Sequence, residues 1–539
     1  MTDLVASPTA AAAAAPGASA PIPWLGLTAV LLGTFISTLN GRLSTLGLAD
    51  IRGGIHAGFD DGAWITTAQT VAQMLMAPIA VWIGSIYGPR RVLMAAATGF
   101  ALVSTIEPFS PNISSLLVLQ FLGGLASGCF IPLTLSFILR TMPPRYWAYG
   151  VALYALNLEL SLNISASLEG WYVDHLSWAF IYWQNVPLAV GMALCLYFGV
   201  ARTPPLAQRP HTDVFGLASI GLGLALIYAG LDQGNRLDWL NSGLIVGLLL
   251  SGALLVAAFF AHEARTQNPF ISLEVAFSGP LPRLLILISF LRLTILSTAY
   301  LIPLYLQTVR GFRALEVGQT LLWIAAPQLV FCPLAALMLR RTDPRVVSSI
   351  GLIFIAVACL MVAHGLTAVW GSDQFLPSQL LQAVGQSFGL SGIVFLGVLN
   401  IRPQDALTFG ALLQMARLMG GEIGSAFVVT LARVRSQVAS NLIGLHVHAG
   451  DLAVTQRLQA YGAIAGRAGA DPARASARAA SLLGGAVRTA AATQSVIDGF
   501  VVVAGFTAVA LLVVVSLGPA PQGPASHRPL FPPRPPGAT

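Results

Sequence analysis

PIAVWIGSIYGPRRV (residues 78–92) and PLAALMLRRTDPRVV (residues 333–347) pair without a gap at an offset of 255 residues. Pro78 meets Pro333, Ala80 meets Ala335, Pro89 meets Pro344, Arg90 meets Arg345 and Val92 meets Val347. In both copies an apolar run closes, a Pro-Arg turn follows, and a second apolar run opens. Proline suits the first position of a helix, where an N–H would be unused anyway, so each copy reads as helix, basic turn, helix. The same offset carries residue 24, where the first long apolar run begins, to residue 279, beside the start of the ninth. A chain duplicated at this spacing divides into two six-helix units with two helices inserted between them.

Working outward from the repeat gives the architecture. A helix needs about 20 mainly apolar residues to cross a bilayer. Such runs lie near 24–49, 64–87, 91–110, 113–140, 147–169, 178–201, 213–231, 240–261, 284–308, 314–339, 346–367, 376–400, 405–432 and 496–518, fourteen in all. They are long and continuous, unlike the short alternating strands of a membrane barrel. Composition agrees, with 56% hydrophobic and 9% charged residues, against about 25% charged in soluble domains. So few charges cannot clothe a water-solvated surface, so the solvent is mostly lipid.

The expected fold class is an all-α polytopic membrane protein. Its expected divisions are a tail (1–22), a first six-helix bundle (23–202), a linker (203–212), two inserted helices (213–262), a second linker (263–283), a second bundle (284–518) carrying a long outer loop (433–495), and a second tail (519–539).

Loop charge sets the orientation. All 28 basic residues are Arg. With the N-terminus in the cytoplasm, inside loops hold Arg90, Arg91, Arg140, Arg145, Arg202, Arg209, Arg265, Arg283, Arg340, Arg341, Arg345 and Arg402. The short outside loops hold only Arg52, Arg236, Arg310 and Arg313. This bias places both termini in the cytoplasm of a bacterial inner-membrane protein. Scattered arginines between apolar runs do not make a nucleic-acid surface. Cys129, Cys195, Cys332 and Cys359 sit in apolar stretches without a CxxC, and His446 and His448 have no third ligand nearby, so no metal and no cofactor is expected. The chain has no HExxH, GxSxG or phosphate loop, and no large soluble segment that would carry out chemistry.

A charge at the bilayer centre costs about 2.5–3.5 kcal/mol and ordinarily faces a partner or a wet cavity. The candidates are Arg42, Glu159, Arg292, Arg417 and Glu422. Glu159 and Glu422 are proton-coupling candidates. Arg292, about eight residues beyond the basic turn at Arg283, lies about 12 Å deep at 1.5 Å per residue. Uncharged polar residues that need a partner or a cavity are Asn40, Gln69, Gln73, Gln120, Asn157, Asn163, Gln328, Gln382, Gln386 and Gln414. With Arg42, Arg292 and Arg417 they are the candidate lining of a substrate cavity. Gly88, Arg90, Arg91 and Arg345 are the candidate cytoplasmic gate.

Several stretches carry a family resemblance. Trp178-Ala-Phe-Ile-Tyr-Trp-Gln-Asn185-Val-Pro187 looks like an aromatic, Asn-x-Pro entry to the sixth span, and Asp213-Val-Phe-Gly216 resembles an opening of the seventh. Pro303-Leu-Tyr305-Leu-Gln307 followed by Gly311, and Arg417-Leu-Met-Gly420-Gly421, are similar to motifs of the ninth and thirteenth. Together with the six-two-six layout, they resemble the 14-spanning drug–proton antiporters, the EmrB/QacA-type branch of the major facilitator superfamily.

The resemblance implies a secondary active exporter of amphipathic or lipophilic small molecules, proton-driven, with a periplasmic adaptor as a possible partner at the outer loop. It also implies that the first and fifth helices pack together, which would let Arg42 and Glu159 pair. The chain departs from the family pattern at four signature motifs, three of which are damaged. Asn40 and Arg42 replace an Asp and a Thr. Ser85 replaces the Asp of the motif that keeps Gly88, Arg90 and Arg91. Leu117 replaces the Arg of the motif that keeps Gln120. Ser165-Ala-Ser-Leu-Glu169-Gly170 replaces a glycine-rich antiporter motif. The alternative is therefore a transporter of a lipid or an anionic metabolite without that proton coupling.

Overall fold

The computed structural model describes residues 24–200, 213–266, 277, 279–401, 406–448, 450–467 and 471–520. The expected tail 1–22, the linker 203–212, most of the linker 263–283, most of the second tail and Arg402 lie outside them.

Among the described residues, fourteen helices are long and apolar enough to cross a membrane. They are α1 (Trp24–Leu46), α2 (Phe59–Tyr87), α3 (Pro89–Phe109), α4 (Ile113–Thr141), α5 (Pro144–His175), α6 (Phe180–Gly199) and α7 (Val214–Gly234). Then follow α8 (Gly243–Glu263), α9 (Leu281–Thr308), α10 (Ala314–Leu339), α11 (Pro344–Gly365), α12 (Ser372–Leu399), α13 (Ala406–Gly444) and α14 (Ala473–Ser516). Fourteen is even, so the chain enters and leaves on one face, here the termini face. Arg283 and Arg345, at the starts of α9 and α11, donate to carbonyls at the end of α14 on that face.

The duplication read in the sequence appears as duplicated packing. In the first half α1 packs on α5 and α6, α2 on α4, and α3 on α4 and α6. In the second half α9 packs on α13 and α14, α10 on α12, and α11 on α12 and α14. The contacts between halves repeat too: α5 packs on α10 and α12, and α13 on α2 and α4. The inserted pair α7 and α8 pack on each other, and α7 also lies along α2 and α13, over one of the two seams between halves. The most buried span is α12, as expected of a helix enclosed by neighbours, whereas α8 is the least buried.

Glycines set how close the seams come. A Cβ on Gly318 of α10 would lie 2.5 Å from the Ser167 nitrogen of α5, and one on Gly170 would lie 2.5 Å from the Leu315 nitrogen. These contacts close the α5–α10 seam at the face opposite the termini. On the termini face a Cβ on Gly410 of α13 would lie 2.4 Å from the Pro132 oxygen of α4. Small residues permit such close approach between membrane helices.

The described part of the outer stretch 433–495 is largely helical. The α13 helix runs on to Gly444, a further helix covers Leu452–Arg467, and α14 begins well before its apolar part. The reason is local: the stretch is rich in Ala and Arg, both strong helix formers, and Pro472 follows Asp471 at the helix start.

Candidate functional site

One polar cavity of about 230 Å³ lies between the halves, lined from α1, α2, α5, α7, α9 and α13. On α1 it meets Ser37, Thr38, Gly41, Arg42 and Thr45, on α2 Thr66, Thr70 and Gln73, and on α7 Tyr228 and Asp232. On α9 it meets Arg292 and Ala299, and on α13 Arg417, Gly421, Glu422 and Ser425. The wall becomes exposed at Thr45, nearly one turn beyond Arg42 toward the face opposite the termini. A larger cleft of about 470 Å³ borders the α5–α10 seam, but its walls are apolar apart from Tyr146, Tyr149 and Arg340. Of the intramembrane charges singled out from sequence, Arg42, Arg292, Arg417 and Glu422 line the smaller cavity, which is therefore the candidate site.

Local chain chemistry positions the arginines. Pro303 has no N–H, so the carbonyl four residues earlier loses its helical partner. That carbonyl belongs to Ala299, inside a π turn at Ser297–Leu301, and it accepts from Arg42 Nη2 at 3.1 Å. The break in α9 thus supplies an acceptor that holds Arg42 across the two halves. Arg292 lies on the same helix, and its charge acts on Arg42, Arg417 and Glu159. A Cβ on Gly421 would stand 4.0 Å from Arg292 Nε, so the glycine leaves room for that side chain. Arg417 is buried and donates from Nε to Gln414 Oε1 at 3.0 Å. The Nε atoms of Arg42 and Arg292 are buried without a partner. Among the described residues, none of these three arginines has a carboxylate within ion-pair distance.

The opposite wall is acidic. Glu422, 7% exposed, lies against Tyr228, and Tyr228 also lies near Thr70. Asp232 is close enough to Glu422 for their charges to interact. Asp232 accepts from Thr67 Oγ1 and, at 3.1 Å, from Gln233 Nε2. Gln233 also donates to Thr67 Oγ1 at 2.6 Å and to the Ala63 carbonyl at 3.1 Å, which ties the inserted α7 to α2. On the acidic wall Asp232 is held by Thr67 and Gln233, whereas the arginines of the cationic wall reach only neutral acceptors at Ala299 and Gln414.

The structure separates the residues singled out from sequence. Arg42, Arg292, Arg417 and Glu422 line the cavity. The expected Arg42–Glu159 pair is not formed, because Arg42 is held by the carbonyl freed at Pro303 and the cations acting on Glu159 are Arg292 and Arg417. Glu159 is fully buried one layer behind the cavity, with both carboxyl oxygens unpartnered.

Of the uncharged candidates Gln73 lines the cavity; the others do not, because neighbouring side chains or backbone satisfy most of them first. Asn40 Oδ1 accepts from Asn185 at 2.6 Å, and Asn157 donates to the Leu153 carbonyl at 2.9 Å. Gln328 and Asn163 donate to Gln386 Oε1 at 3.1 and 3.0 Å, and Gln386 donates to Thr298 at 3.0 Å. That network fastens α5, α9, α10 and α12 across the halves. Gln414 is engaged with Arg417, and Gln69 and Gln120 are buried inside the first bundle.

The candidate gate residues stay within their own halves. Arg90 donates to the Leu196 and Tyr197 carbonyls at 3.2 and 2.9 Å, and Arg345 donates to the Leu517 carbonyl at 2.8 Å. Each caps the open, partly negative C-terminal end of the last helix of its half. Gly88 supplies the positive φ of 84° at the first turn, and Arg91 is exposed. The contact across halves on this face is instead Arg340 Nη1 to Tyr149 Oη at 2.7 Å. Sequence reading missed Tyr228 and Asp232. Asp232 lies one residue beyond the expected end of the seventh span, and a carboxylate at that edge reads as loop charge.

Two pseudo-equivalent bundles around a central polar cavity, built from helices long and apolar enough to cross a membrane, have the architecture of a membrane carrier. The chain belongs to the major facilitator superfamily, whose family model matches residues 30–425. It is similar to the fatty acid resistance protein FarB of Neisseria gonorrhoeae, 23% identical over 436 residues, covering 79% of this chain and 84% of the relative. It is also similar to the multidrug export protein EmrB of Haemophilus influenzae, 23% identical with 78% and 82% covered, and to the probable multidrug resistance protein EmrY of Escherichia coli, 25% identical with 76% and 80% covered. In fold it resembles the human organic anion transporter MFSD10, with a TM-score of 0.58 at 16% identity, covering 92% of this chain and 98% of that one. The proton:xylose symporter XylE gives a TM-score of 0.55 at 10% identity, covering 78% and 90%. The protein is thus a multi-pass membrane transporter of that superfamily.

Proposed function

We propose that this protein exports amphipathic small molecules with an anionic polar end by alternating access, with proton uptake at Glu422 as the driving step. One observation carries the reading: Arg42, Arg292 and Arg417 gather around one cavity without a carboxylate partner among the described residues. Three uncompensated charges in a membrane interior are costly. A bound anion offsets that cost. Arginine's planar fork suits a carboxylate or phosphate, and its stem tolerates an apolar tail. The naming of one relative for fatty acid resistance is consistent with such a substrate.

Glu422 is the cavity-lining acid on the same helix as Arg417, so a proton bound there changes the charge of the wall that faces the arginines. Glu159, behind Arg292 and Arg417, is the second proton candidate. The basic loops favour placing the termini face in the cytoplasm. The helices that rise beyond the opposite face expose Leu442, Leu445, Leu452 and Leu482, a surface on which a periplasmic adaptor would dock.

The test is transport in proteoliposomes with an imposed pH gradient, using a fluorescent medium-chain fatty acid and the matching neutral alcohol. The acid is expected to move faster with the gradient, and a protonophore to abolish the gain. Arg292→Ala should slow the acid at least tenfold, and Glu422→Gln should remove the gradient dependence. If the acid and the alcohol respond alike to Arg292→Ala, the anionic end is wrong. If a protonophore leaves transport unchanged, the carrier instead moves a lipid or an anionic metabolite without proton coupling.

A further inference from the structure

The apolar cleft of about 470 Å³ at the α5–α10 seam shares no lining residue with the polar cavity. Tyr146, Tyr149, Leu153 and Leu156 run as one stripe along α5, and Cys332, Ala336 and Arg340 as another along α10. Their spacings of three and four residues put each set on one helix face. From Tyr146 to Leu156 the chain rises about 15 Å, and from Arg340 to Cys332 about 12 Å. Both are close to the depth of one leaflet, half of a hydrocarbon core about 30 Å thick. One turn deeper on α10, Gln328 donates to Gln386, which also accepts from Asn163, so a bonded network stops the cleft in the membrane interior. Pro333 is exposed, so the cleft opens sideways to lipid. Among the described residues, Arg340 is the one charged group of the lining, and it stands at the termini face. It has no carboxylate within ion-pair distance there, and its Nη1 donates to Tyr149 Oη at 2.7 Å. Arg341 is exposed beside it, and Arg145 stands 4.8 Å from the centre of the Tyr146 ring, so this end of the cleft is positive.

We propose that this cleft holds one acyl chain of an anionic phospholipid from the leaflet on the termini side, with the lipid phosphate on Arg340. An apolar trough gives water too few partners to fill it. A trough one leaflet deep and open to the bilayer fits a chain whose head stays at the interface. Charge complementarity selects the head. The Tyr149 hydroxyl takes one of the guanidinium's donors and none of its charge, and the planar fork suits a phosphate. Trp24 and Tyr146, at the same end, are of the residue types that sit at headgroup level. The cleft between α9, α13 and α14 is also apolar, but no charged residue lines it, so nothing there distinguishes an anionic lipid from a neutral one. The walls come from both halves, α5 from the first and α10 from the second, so the lipid lies across the seam. The proposal does not depend on the nature of the exported substrate.

The experiment is photolabelling of the full-length chain in phosphatidylcholine vesicles. Trace phosphatidylglycerol or phosphatidylcholine carries a diazirine at the end of one acyl chain, and labelled peptides are located by mass spectrometry. The phosphatidylglycerol probe is expected to label the peptides holding Leu153, Leu156 and Cys332 about fivefold more than the phosphatidylcholine probe, the worth of one arginine at a lipid surface. Arg340→Gln should remove that preference. Tyr149→Phe, which breaks the same hydrogen bond but keeps the charge, should retain it. Leu153→Trp, which fills the trough, should cut labelling by both probes. Where Arg340→Gln fails to fold, the wild type in high salt supplies the comparison, because screening should shrink the preference. The proposal is overturned if the two probes label these peptides equally, or if neither Arg340→Gln nor salt changes the preference. It is also overturned if free oleic acid displaces the probe better than unlabelled phosphatidylglycerol does, which would make the cleft a fatty acid pocket.

Discussion

Gly410→Ala tests the alternating-access geometry at its tightest point. The added Cβ would lie 2.4 Å from the Pro132 oxygen, 3.1 Å from its carbonyl carbon and 3.2 Å from its Cα. Ordinary contact begins near 3.4 Å, so α4 and α13 must part by about 1 Å at this face. The opposing atoms are backbone, so no rotamer change absorbs the overlap. Overpacking of this kind costs about 1–3 kcal/mol. The cost falls only on states in which α4 and α13 touch there, so the variant should favour opening to the termini face about 5- to 150-fold. The assay replaces the four native cysteines, adds Gln73→Cys in the cavity wall, and follows labelling by an impermeant maleimide from the termini face. Labelling should accelerate at least fivefold over the parent. An unchanged rate in a folded Gly410→Ala protein, repeated in Gly410→Leu, would refute the assignment of this contact as a closing seam.

The mirror experiment is Gly318→Ala, whose Cβ would meet the Ser167 nitrogen at 2.5 Å, so labelling of the same cysteine should accelerate from the opposite face. Pro303→Ala should return a helical N–H to the Ala299 carbonyl, loosen Arg42, and raise the KM for an anionic substrate about fivefold, the loss of roughly 1 kcal/mol of hydrogen bonding. Transport kinetics would read it, and an unchanged KM would dissociate Arg42 from substrate. Asp343 outside the membrane gives a pH prediction. Burial alone would raise its carboxyl, but hydrogen bonds from the Arg345 side chain and backbone, with the Arg345 charge, hold it below the usual carboxylate value. A lowered folded value means that the stabilisation is present above about pH 4 and is lost as pH falls through the folded value. Asp343→Asn should therefore be less stable than the wild type at neutral pH, and the two unfolding midpoints should converge in acid.

Much of the architecture was legible because the bilayer imposes one-dimensional rules. Span length, the Pro-Arg repeat and the run of apolar residues are local properties, and fourteen helices in a six-two-six order follow from them without any knowledge of packing. The intramembrane charges were legible for the same reason: Arg42, Arg292, Arg417 and Glu422 stand out against apolar neighbours and do line the cavity. What the sequence left open was which polar groups would be consumed by neighbours. Gln328 and Gln386 look like cavity residues in a linear reading, yet they bond to each other and to Asn163 and Thr298 across four helices.

Composition and residue order suffice to read the membrane solvent, the duplication and the small set of charged residues that need explaining. Their partners follow from the packing of the helices. That packing set Arg42 on a carbonyl freed by Pro303, brought Asp232 and Tyr228 of the inserted helix to Glu422, and left Glu159 behind the wall. The physical reason is that lipid exposure depends on a segment's own composition, whereas a side chain's hydrogen-bond partner depends on helix rotation and register. A shift of one residue turns a helix by about 100° and points the same group at a different neighbour.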